Sequence, residues 1–213
     1  MKTRFILVRH GQSLGNERKI ILGHVDWDIT DVGRAQAECV AEALANRKID
    51  AVYSSDLMRA YNTVAPVALS RGLKINVDKG LREINMGLWE GREVSEIIEK
   101  YGELFTVEWM QHFGSFCAPG GESTSELARR FRDTLRRIAE ENPGSTVLIG
   151  THAAAIRAFW ALVTGVPSEK IDELLAFPDN ASYSEIDYED GCFTPISYSV
   201  SDYLTTIATG LPF

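Results

Sequence analysis

The 213-residue sequence predicts an α/β protein in which helices cover both faces of a mostly parallel central sheet. Three short apolar segments, "RFILV" (4–8), "AVYSS" (51–55) and "TVLIGTH" (146–152), have the length and composition of buried strands. A segment with apolar residues at helical spacing follows each of them, after a polar loop in the first case. Strands that alternate with helices form parallel sheets, so we predict a three-layer α/β/α sandwich.

The predicted helices are delimited by residues that favour helix ends. Thr30 or Asp31 is a suitable N-cap for a helix over residues 30–47, and Gly72 ends a helix over residues 56–72. The remaining elements are a strand over 74–78, a helical segment over 92–113 broken near Gly102, a long amphipathic helix over 122–142, a helix over 153–165, and two strands over 182–190 and 195–203 at an antiparallel edge.

The composition argues against several classes of protein. The chain is 45% hydrophobic, which is enough for one substantial core, and we expect one domain over residues 1–213. A net charge of -8 is unusual for a nucleic-acid-binding protein, so no nucleic-acid partner is expected. The three cysteines, Cys39, Cys117 and Cys192, are too widely spaced for a disulfide framework or a zinc site. No apolar segment approaches the roughly 20 residues of a membrane span, and the expected location is the cytoplasm.

Polar side chains follow the carboxyl ends of the predicted parallel strands, where such sheets bind their ligands. Arg9 and His10 follow the first strand, and Arg59 lies one helical turn inside the helix after the second. Glu83 follows the third strand, and His152 follows the fourth. Arginine side chains match the oxygens of a phosphoryl group, and the N-terminus of the helix after His152 would add its positive dipole. Each residue alone has an ordinary structural explanation, but together they predict a phosphate site.

Six segments of the sequence occur in an order that is typical of one family. They are "LVRHGQSLGN", "LGHVDWDITDVGRAQA", "VYSSDLMRAYNT", "LREINMGLWEGR", "PGGES" and "VLIGTHAAAIR". The first contains Arg9, His10 and Gly11 in succession. In this order and spacing the segments resemble the histidine phosphatase superfamily, which includes the cofactor-dependent phosphoglycerate mutases. The resemblance covers nearly the whole chain, and six ordered matches are far more specific than the tripeptide alone.

The resemblance implies a role for each residue of the predicted phosphate site. His10 would be the nucleophile that attacks phosphorus and forms a phosphohistidine. Arg9, Arg59 and His152 would hold the phosphoryl oxygens and stabilise the charge that develops during transfer. Glu83 would protonate the leaving oxygen and then help water to attack. Because the arginines supply the positive charge, neither a metal nor a cofactor is expected.

The matched motifs imply further contacts. Asn16 would face the phosphate, and Leu22 and Gly23 would contact the substrate. One departure is that Ala153 and Ala154 follow the second histidine, where the family commonly has two glycines. Their methyl groups are expected to tighten the floor of the pocket without removing a catalytic group.

The resemblance favours a phosphatase over a mutase. Mutases of the family carry a longer insertion after the acid-bearing loop, whereas only a short helical segment lies between Glu83 and "PGGES" here. A short lid admits water as the acceptor, so the predicted activity is metal-independent hydrolysis of a small phosphate monoester. The alternatives are a cofactor-dependent phosphoglycerate mutase and a non-catalytic phosphate-binding module. The sequence leaves open the physiological ester, the oligomeric state and the role of the C-terminal tail.

Three other features have less specific interpretations. His24 is expected to be a loop residue, with contact to the substrate as the alternative, and the arginines of "RRFRDTLRR" (129–137) are expected on a solvated helix face. Trp109, Phe113 and Phe116 are expected in the core, with selection of an apolar leaving group as the alternative.

Overall fold

The computed structural model describes residues 1–204, and a six-stranded sheet lies at its centre. In chain order the strands are β1 (Thr3–Arg9), β2 (Ile20–Ile21), β3 (Ala51–Ser54), β4 (Ile75–Val77), β5 (Arg92–Glu93), β6 (Thr146–Thr151), β7 (Tyr183–Glu189) and β8 (Cys192–Val200). The central sheet has the order β4-β3-β6-β1-β7-β8, and β2 pairs separately with β5. Strands β4, β3, β6 and β1 run parallel, whereas β7 and β8 form the antiparallel edge that the sequence predicts.

The helices connect these strands and lie on both faces of the sheet. They are α1 (Leu14–Arg18), α2 (Asp31–Ala43), α3 (Met58–Ser70), α4 (Val94–Tyr101), α5 (Thr124–Glu141), α6 (Ala153–Thr164) and α7 (Ile171–Leu174). Thr30 caps α2 by accepting a hydrogen bond from the Gly33 N–H, as predicted. Gly102, with a φ of 48°, ends α4 and separates it from a π-helical segment over Leu104–Trp109.

Strand β1 shows why the helices form two layers. Phe5 and Leu7 pack into a core with residues of α5 and α6, whereas Ile6 and Val8 pack into a second core with residues of α2 and α3. Successive residues of a strand point to opposite faces of the sheet, and all four side chains are completely buried. The prediction of a three-layer α/β/α sandwich is therefore confirmed.

A tight turn explains the antiparallel edge. Asp190 and Gly191 join β7 to β8, and both have positive φ angles, of 51° and 85°. Two consecutive residues with positive φ form the hairpin turn whose twist matches that of the flanking strands. Residues 205–213, the end of the tail whose role the sequence leaves open, lie outside the described residues.

Two short elements lie where the sequence predicts a loop. Ser13 and Asn16 form a capping box for α1, in which each side chain accepts a hydrogen bond from the backbone N–H of the other residue. This helix has five residues, which is too short for an apolar period to be recognised. Strand β2 pairs with β5 over two residues only. Within residues 1–204, no helix has both the length and the apolar character that crossing a membrane requires.

Candidate active site

A cavity lies at the carboxyl ends of the parallel strands. One of the eight predicted site residues, His152, lies beside His10, and the centroids of the two rings are 5.3 Å apart. In the described part of the chain, no cluster of histidine, cysteine and acidic residues has the arrangement of a metal site. The other seven predicted site residues line the cavity: Arg9, His10, Asn16, Leu22, Gly23, Arg59 and Glu83.

His10 is held in the neutral form that a nucleophile requires. Its Nδ1 lies 2.7 Å from the backbone oxygen of Gly11. Because a carbonyl oxygen only accepts, Nδ1 carries the proton and Nε2 keeps its lone pair. Burial lowers the pKa of His10 well below its usual range, and the positive charges of Arg59 and Arg9 reinforce the effect. The imidazole is therefore neutral even at mildly acidic pH.

Two buried arginines provide positive charge in the cavity. Arg59 donates to the backbone oxygens of Gly23 and Val25, at 2.7 and 2.9 Å. Arg9 donates to the backbone oxygen of Pro178 at 2.5 Å, and its Nε has no partner among the described residues. Burial lowers the pKa of each guanidinium to about 10, so both are charged at neutral pH. Because their hydrogen bonds within residues 1–204 go to carbonyl oxygens rather than carboxylates, their charge remains available to an anion.

His152 is the N-cap residue of α6 and is completely buried. Neither of its ring nitrogens has a hydrogen-bond partner within the described residues. Burial, followed by the charge of Arg59, lowers the pKa of His152 well below its usual range. Buried polar atoms normally have partners. The unpaired nitrogens of His152 and Arg9 therefore mark a place for an external hydrogen-bonding group such as a phosphoryl oxygen.

The half-buried carboxylate of Glu83 caps the N-terminus of α6. It accepts hydrogen bonds from the N–H groups of Ala155 at 3.2 Å, Ala154 at 3.3 Å and Ile84 at 2.9 Å. The sequence predicts that this helix directs its dipole at the phosphate, whereas two of its free N–H groups bind Glu83. The side chain of Met86 lines the cavity with Glu83. The dipole of α6 thus orients the predicted acid.

Asn16 is oriented by the same network that contacts the backbone of His10. Its Oδ1 accepts from the Ser13 N–H at 3.0 Å and from Asn180 Nδ2 at 3.3 Å. Asn180 Nδ2 also donates to the backbone oxygen of His10, at 3.1 Å. Because Oδ1 is occupied by these donors, the Nδ2 donor of Asn16 is the group that is left for a ligand.

Leu22 and Gly23 lie in the cavity wall, and a carboxylate from another loop packs against Gly23. Gly23 has a φ of 49°, and a Cβ at this position would lie 2.3 Å from an oxygen of Glu90. Glu90 accepts hydrogen bonds from the backbone N–H groups of His24, at 2.8 Å, and Met86, at 3.0 Å. A glycine is therefore required at position 23 for two reasons, the backbone conformation and the space that Glu90 occupies.

Two residues that the sequence analysis did not place at the site hold the loop that carries Glu83. His24 Nε2 lies 2.8 Å from the backbone oxygen of Glu83. Arg130 donates to the same oxygen and to that of Arg82, both at 3.1 Å, and forms an ion pair of 2.8 Å with Glu122. The expectation that the arginines of this helix face solvent is therefore wrong for Arg130. Its partners are mainly backbone atoms, which leave no signal in the sequence.

An aromatic wall lies on the other side of the cavity. The Trp109 ring packs against Phe116, Phe113 and Phe177, with centroids 4.9, 5.4 and 5.7 Å apart. The guanidinium of Arg157 lies 4.2 Å from the centroid of Phe177. Phe113 and Phe116 are core residues, as expected, whereas Trp109 and Phe177 also line the cavity. All three residues of the predicted aromatic set are therefore core residues, as expected, and Trp109 also lines the cavity.

Comparisons with known proteins place this chain in a family. A model of the histidine phosphatase superfamily (branch 1) matches residues 5–200. The chain belongs to the histidine phosphatase superfamily. Phosphoserine phosphatase 1 of Hydrogenobacter thermophilus is 32% identical over 187 residues, which cover 88% of this chain and 87% of the relative. The "Probable phosphoglycerate mutase GpmB" of Yersinia pestis is 33% identical over 184 residues, which cover 86% of this chain and 84% of the relative.

A solved structure shows the same similarity. The complex of the mycobacterial glucosyl-3-phosphoglycerate phosphatase with VO3 has a TM-score of 0.85 at 27% identity, and the match covers 93% of this chain and 99% of that one. The predicted family and the prediction of a phosphatase are confirmed by these histidine phosphatase relatives. The similarity to GpmB keeps a mutase as the alternative.

Proposed function

We propose that this histidine phosphatase hydrolyses phosphate monoesters through a covalent phosphohistidine on His10. The observation that carries the proposal is the state of His10, which is buried and neutral, with the proton on Nδ1 and the lone pair on Nε2. Two arginines without carboxylate partners, Arg9 and Arg59, line the same cavity within the described residues. A neutral nucleophile next to unpaired positive charge suits a phosphate dianion.

In the first step, Nε2 of His10 attacks phosphorus in line with the leaving oxygen. The N–P bond forms while the O–P bond to the leaving group breaks, and the protonated carboxyl of Glu83 gives its proton to the leaving oxygen. Arg9, Arg59 and His152 hold the three equatorial oxygens. Because these groups are already fixed by the fold, little reorganisation is needed as charge develops.

In the second step, water attacks phosphorus from the side that the alcohol has left. Glu83, now a carboxylate, takes a proton from the water as the new O–P bond forms. The N–P bond breaks, inorganic phosphate is released and His10 is regenerated. The N–H groups of Ala154 and Ala155 stabilise the carboxylate that this step requires.

The covalent step is tested by trapping the intermediate. Wild-type protein is quenched during turnover of phenyl phosphate with EDTA present, and the denatured protein is examined for phosphate bound through nitrogen, which is labile in acid and stable in base. We expect His10→Ala to lose the phosphoenzyme and at least about 10³-fold in kcat. His112→Ala is the matched control, because the His112 side chain is 53% exposed. Full activity of His10→Ala, or a phosphoenzyme that survives acid, would contradict the proposal.

The role of Glu83 is tested by varying the leaving group. We expect Glu83→Gln to lower kcat/KM for phenyl phosphate by about 10²–10⁴-fold, because phenoxide needs a proton as it departs. The loss should be much smaller for 2,4-dinitrophenyl phosphate, whose leaving group is stable as an anion. An equal loss for both esters would show that Glu83 does not act as the general acid.

A phosphoglycerate mutase is the second candidate, and the similarity to GpmB favours it. The protein is incubated with 3-phosphoglycerate, with and without 2,3-bisphosphoglycerate, and both 2-phosphoglycerate and inorganic phosphate are measured. Phosphate release without the bisphosphate supports the phosphatase. Isomerisation that depends on the bisphosphate supports the mutase, and the absence of both activities, together with tight phosphate binding, supports a binding module.

The proposal extends to the setting of the enzyme. The family model spans residues 5–200, which supports one domain. Cys39, Cys117 and Cys192 are free, which suits the reducing cytoplasm that we propose as its location. The net charge of -8 supports a small phosphate ester, rather than a nucleic acid, as the ligand.

A further inference from the structure

We propose that the cavity selects phosphate monoesters whose leaving group is apolar and uncharged. This inference rests on the proposed phosphatase function and concerns the part of the cavity beyond the phosphoryl group. Among the described residues that line the cavity, the cationic side chains are Arg9 and Arg59, and both belong to the phosphate site. The remaining lining is mostly apolar: Ile20, Leu22, Ile84, Met86, Trp109 and Phe177.

Among the described residues, the cavity lining holds no second positive charge for an acidic leaving group. An ester such as phosphoserine or phosphoglycerate carries a carboxylate in addition to its phosphate, and burial of a charge without a partner is costly. Three arginines near the cavity are already paired with carboxylates. Arg82, Arg130 and Arg157 form ion pairs of 2.6, 2.8 and 2.8 Å with Asp56, Glu122 and Asp172.

The apolar side chains that line the cavity are fixed by packing. Trp109 is 7% exposed and contacts three other aromatic rings, one of which is Phe177. Behind Phe177, Arg157 donates to the backbone oxygen of Leu175 at 2.7 Å, which ties the chain just before the wall to α6. Met86 is 2% exposed and is held through its N–H by Glu90. A wall of this kind binds an aromatic or aliphatic group without reorganisation.

The charge of the leaving group is tested with two esters of the same shape. Wild-type kcat/KM is compared for 4-carbamoylphenyl phosphate and 4-carboxyphenyl phosphate, which differ in one charge. We expect the neutral ester to be favoured by at least about 10-fold, the lower part of the range for an unpaired buried charge. In the series from methyl to butyl phosphate, kcat/KM should rise about 2- to 4-fold for each methylene.

Variants identify the residues responsible. Trp109→Ala is expected to lower the ratio of kcat/KM for phenyl over methyl phosphate by about 10-fold, a readout that general loss of structure would not move. Met110→Ala is the matched control, because Met110 is 42% exposed and does not line the cavity. Ile20 is half-buried in β2 at the cavity. Ile20→Lys should supply the missing charge and shift the preference toward 4-carboxyphenyl phosphate.

The outcomes separate this inference from the proposed function. If none of the esters is hydrolysed, the proposed function fails. If phenyl phosphate is hydrolysed but kcat/KM is the same for 4-carboxyphenyl phosphate and 4-carbamoylphenyl phosphate, the proposed phosphatase function stands. The selection for an uncharged leaving group is then overturned. A ratio of phenyl to methyl phosphate that is unchanged in Trp109→Ala would likewise overturn the role of the aromatic wall.

Discussion

The two buried histidines of the cavity should make the stability of this protein depend on pH in the mildly acidic range. His10 and His152 are 5% and 0% exposed, and burial together with the charge of Arg59 lowers both pKa values well below the usual range. In the unfolded chain each imidazole takes up a proton near its ordinary pKa of about 6.5, whereas in the folded protein it stays neutral. Because the unfolded state binds more protons, the free energy of unfolding decreases as the pH falls below about 6.5.

The size of the effect follows from proton linkage. Between about pH 7 and pH 5, protonation stabilises the unfolded state by about 2 kcal/mol for each histidine with an ordinary pKa. Protonation of His10 and His152 in the unfolded chain should therefore lower the free energy of unfolding by about 4 kcal/mol between about pH 7 and pH 5. This is a large part of the typical total stability of 5–15 kcal/mol. Asp56 and Asp187 are held at lowered pKa values mainly by hydrogen bonds from Arg82 and Arg4. The contribution of these two aspartates to the free energy of unfolding is lost only below about pH 5, so it does not obscure the contribution of the histidines.

The assay is urea unfolding at a series of pH values, followed by tryptophan fluorescence in buffers without phosphate. Phosphate is excluded because a ligand of the folded state would add stability of its own. The free energy of unfolding of the wild type should fall by about 2.5 kcal/mol per pH unit near pH 5.5, and His152→Asn should remove about half of that slope. His112→Asn, at an exposed position, should leave the slope unchanged. A wild-type slope that His152→Asn does not alter would refute the reasoning.

Three further predictions concern packing and positioning. Gly11→Ala should lower the free energy of unfolding by about 1–3 kcal/mol in urea, because its Cβ would lie 2.7 Å from the backbone oxygen of Gly33. Thr30→Ala should cost about 1 kcal/mol in the same assay, since it removes the N-cap of α2. Arg130→Met should lower kcat about 10-fold with little change in KM in steady-state assays, because it releases the loop that holds the acid. Arg129→Met, at an exposed neighbouring position, should leave both parameters unchanged.

The core strands and the grouping of the polar side chains at one edge of the sheet could be predicted from the sequence because burial and topology each leave a pattern. Burial on both faces makes β1 a continuous apolar segment, and the parallel topology brings the residues that follow such strands to one edge. His10, Arg59 and His152 could therefore be placed together although they are far apart in sequence. Asn16, Leu22 and Gly23 depended on the family motifs, because their loop has no periodicity.

The supporting contacts could not be predicted because they use atoms that every residue has. Arg130 and His24 bind the backbone oxygen of Glu83, and a backbone oxygen does not depend on residue type. The same reason explains why the sequence did not predict the partner of the α6 N-terminus, whose N–H groups bind Glu83 rather than an external anion. A helix N-terminus predicts an anion but does not tell whether that anion is a ligand or a side chain.

These contacts make Glu83 the point at which several parts of the site are joined. Its backbone oxygen accepts from His24 and Arg130, while its carboxylate accepts from Ala154 and Ala155 in the helix that His152 caps. A general acid must stay within hydrogen-bond reach of the leaving oxygen, and a displacement of about 1 Å is enough to slow a reaction 10²-fold. Because both ends of this residue are fixed by separate elements, loss of either backbone contact should reduce the rate of proton transfer more than the binding of the ester.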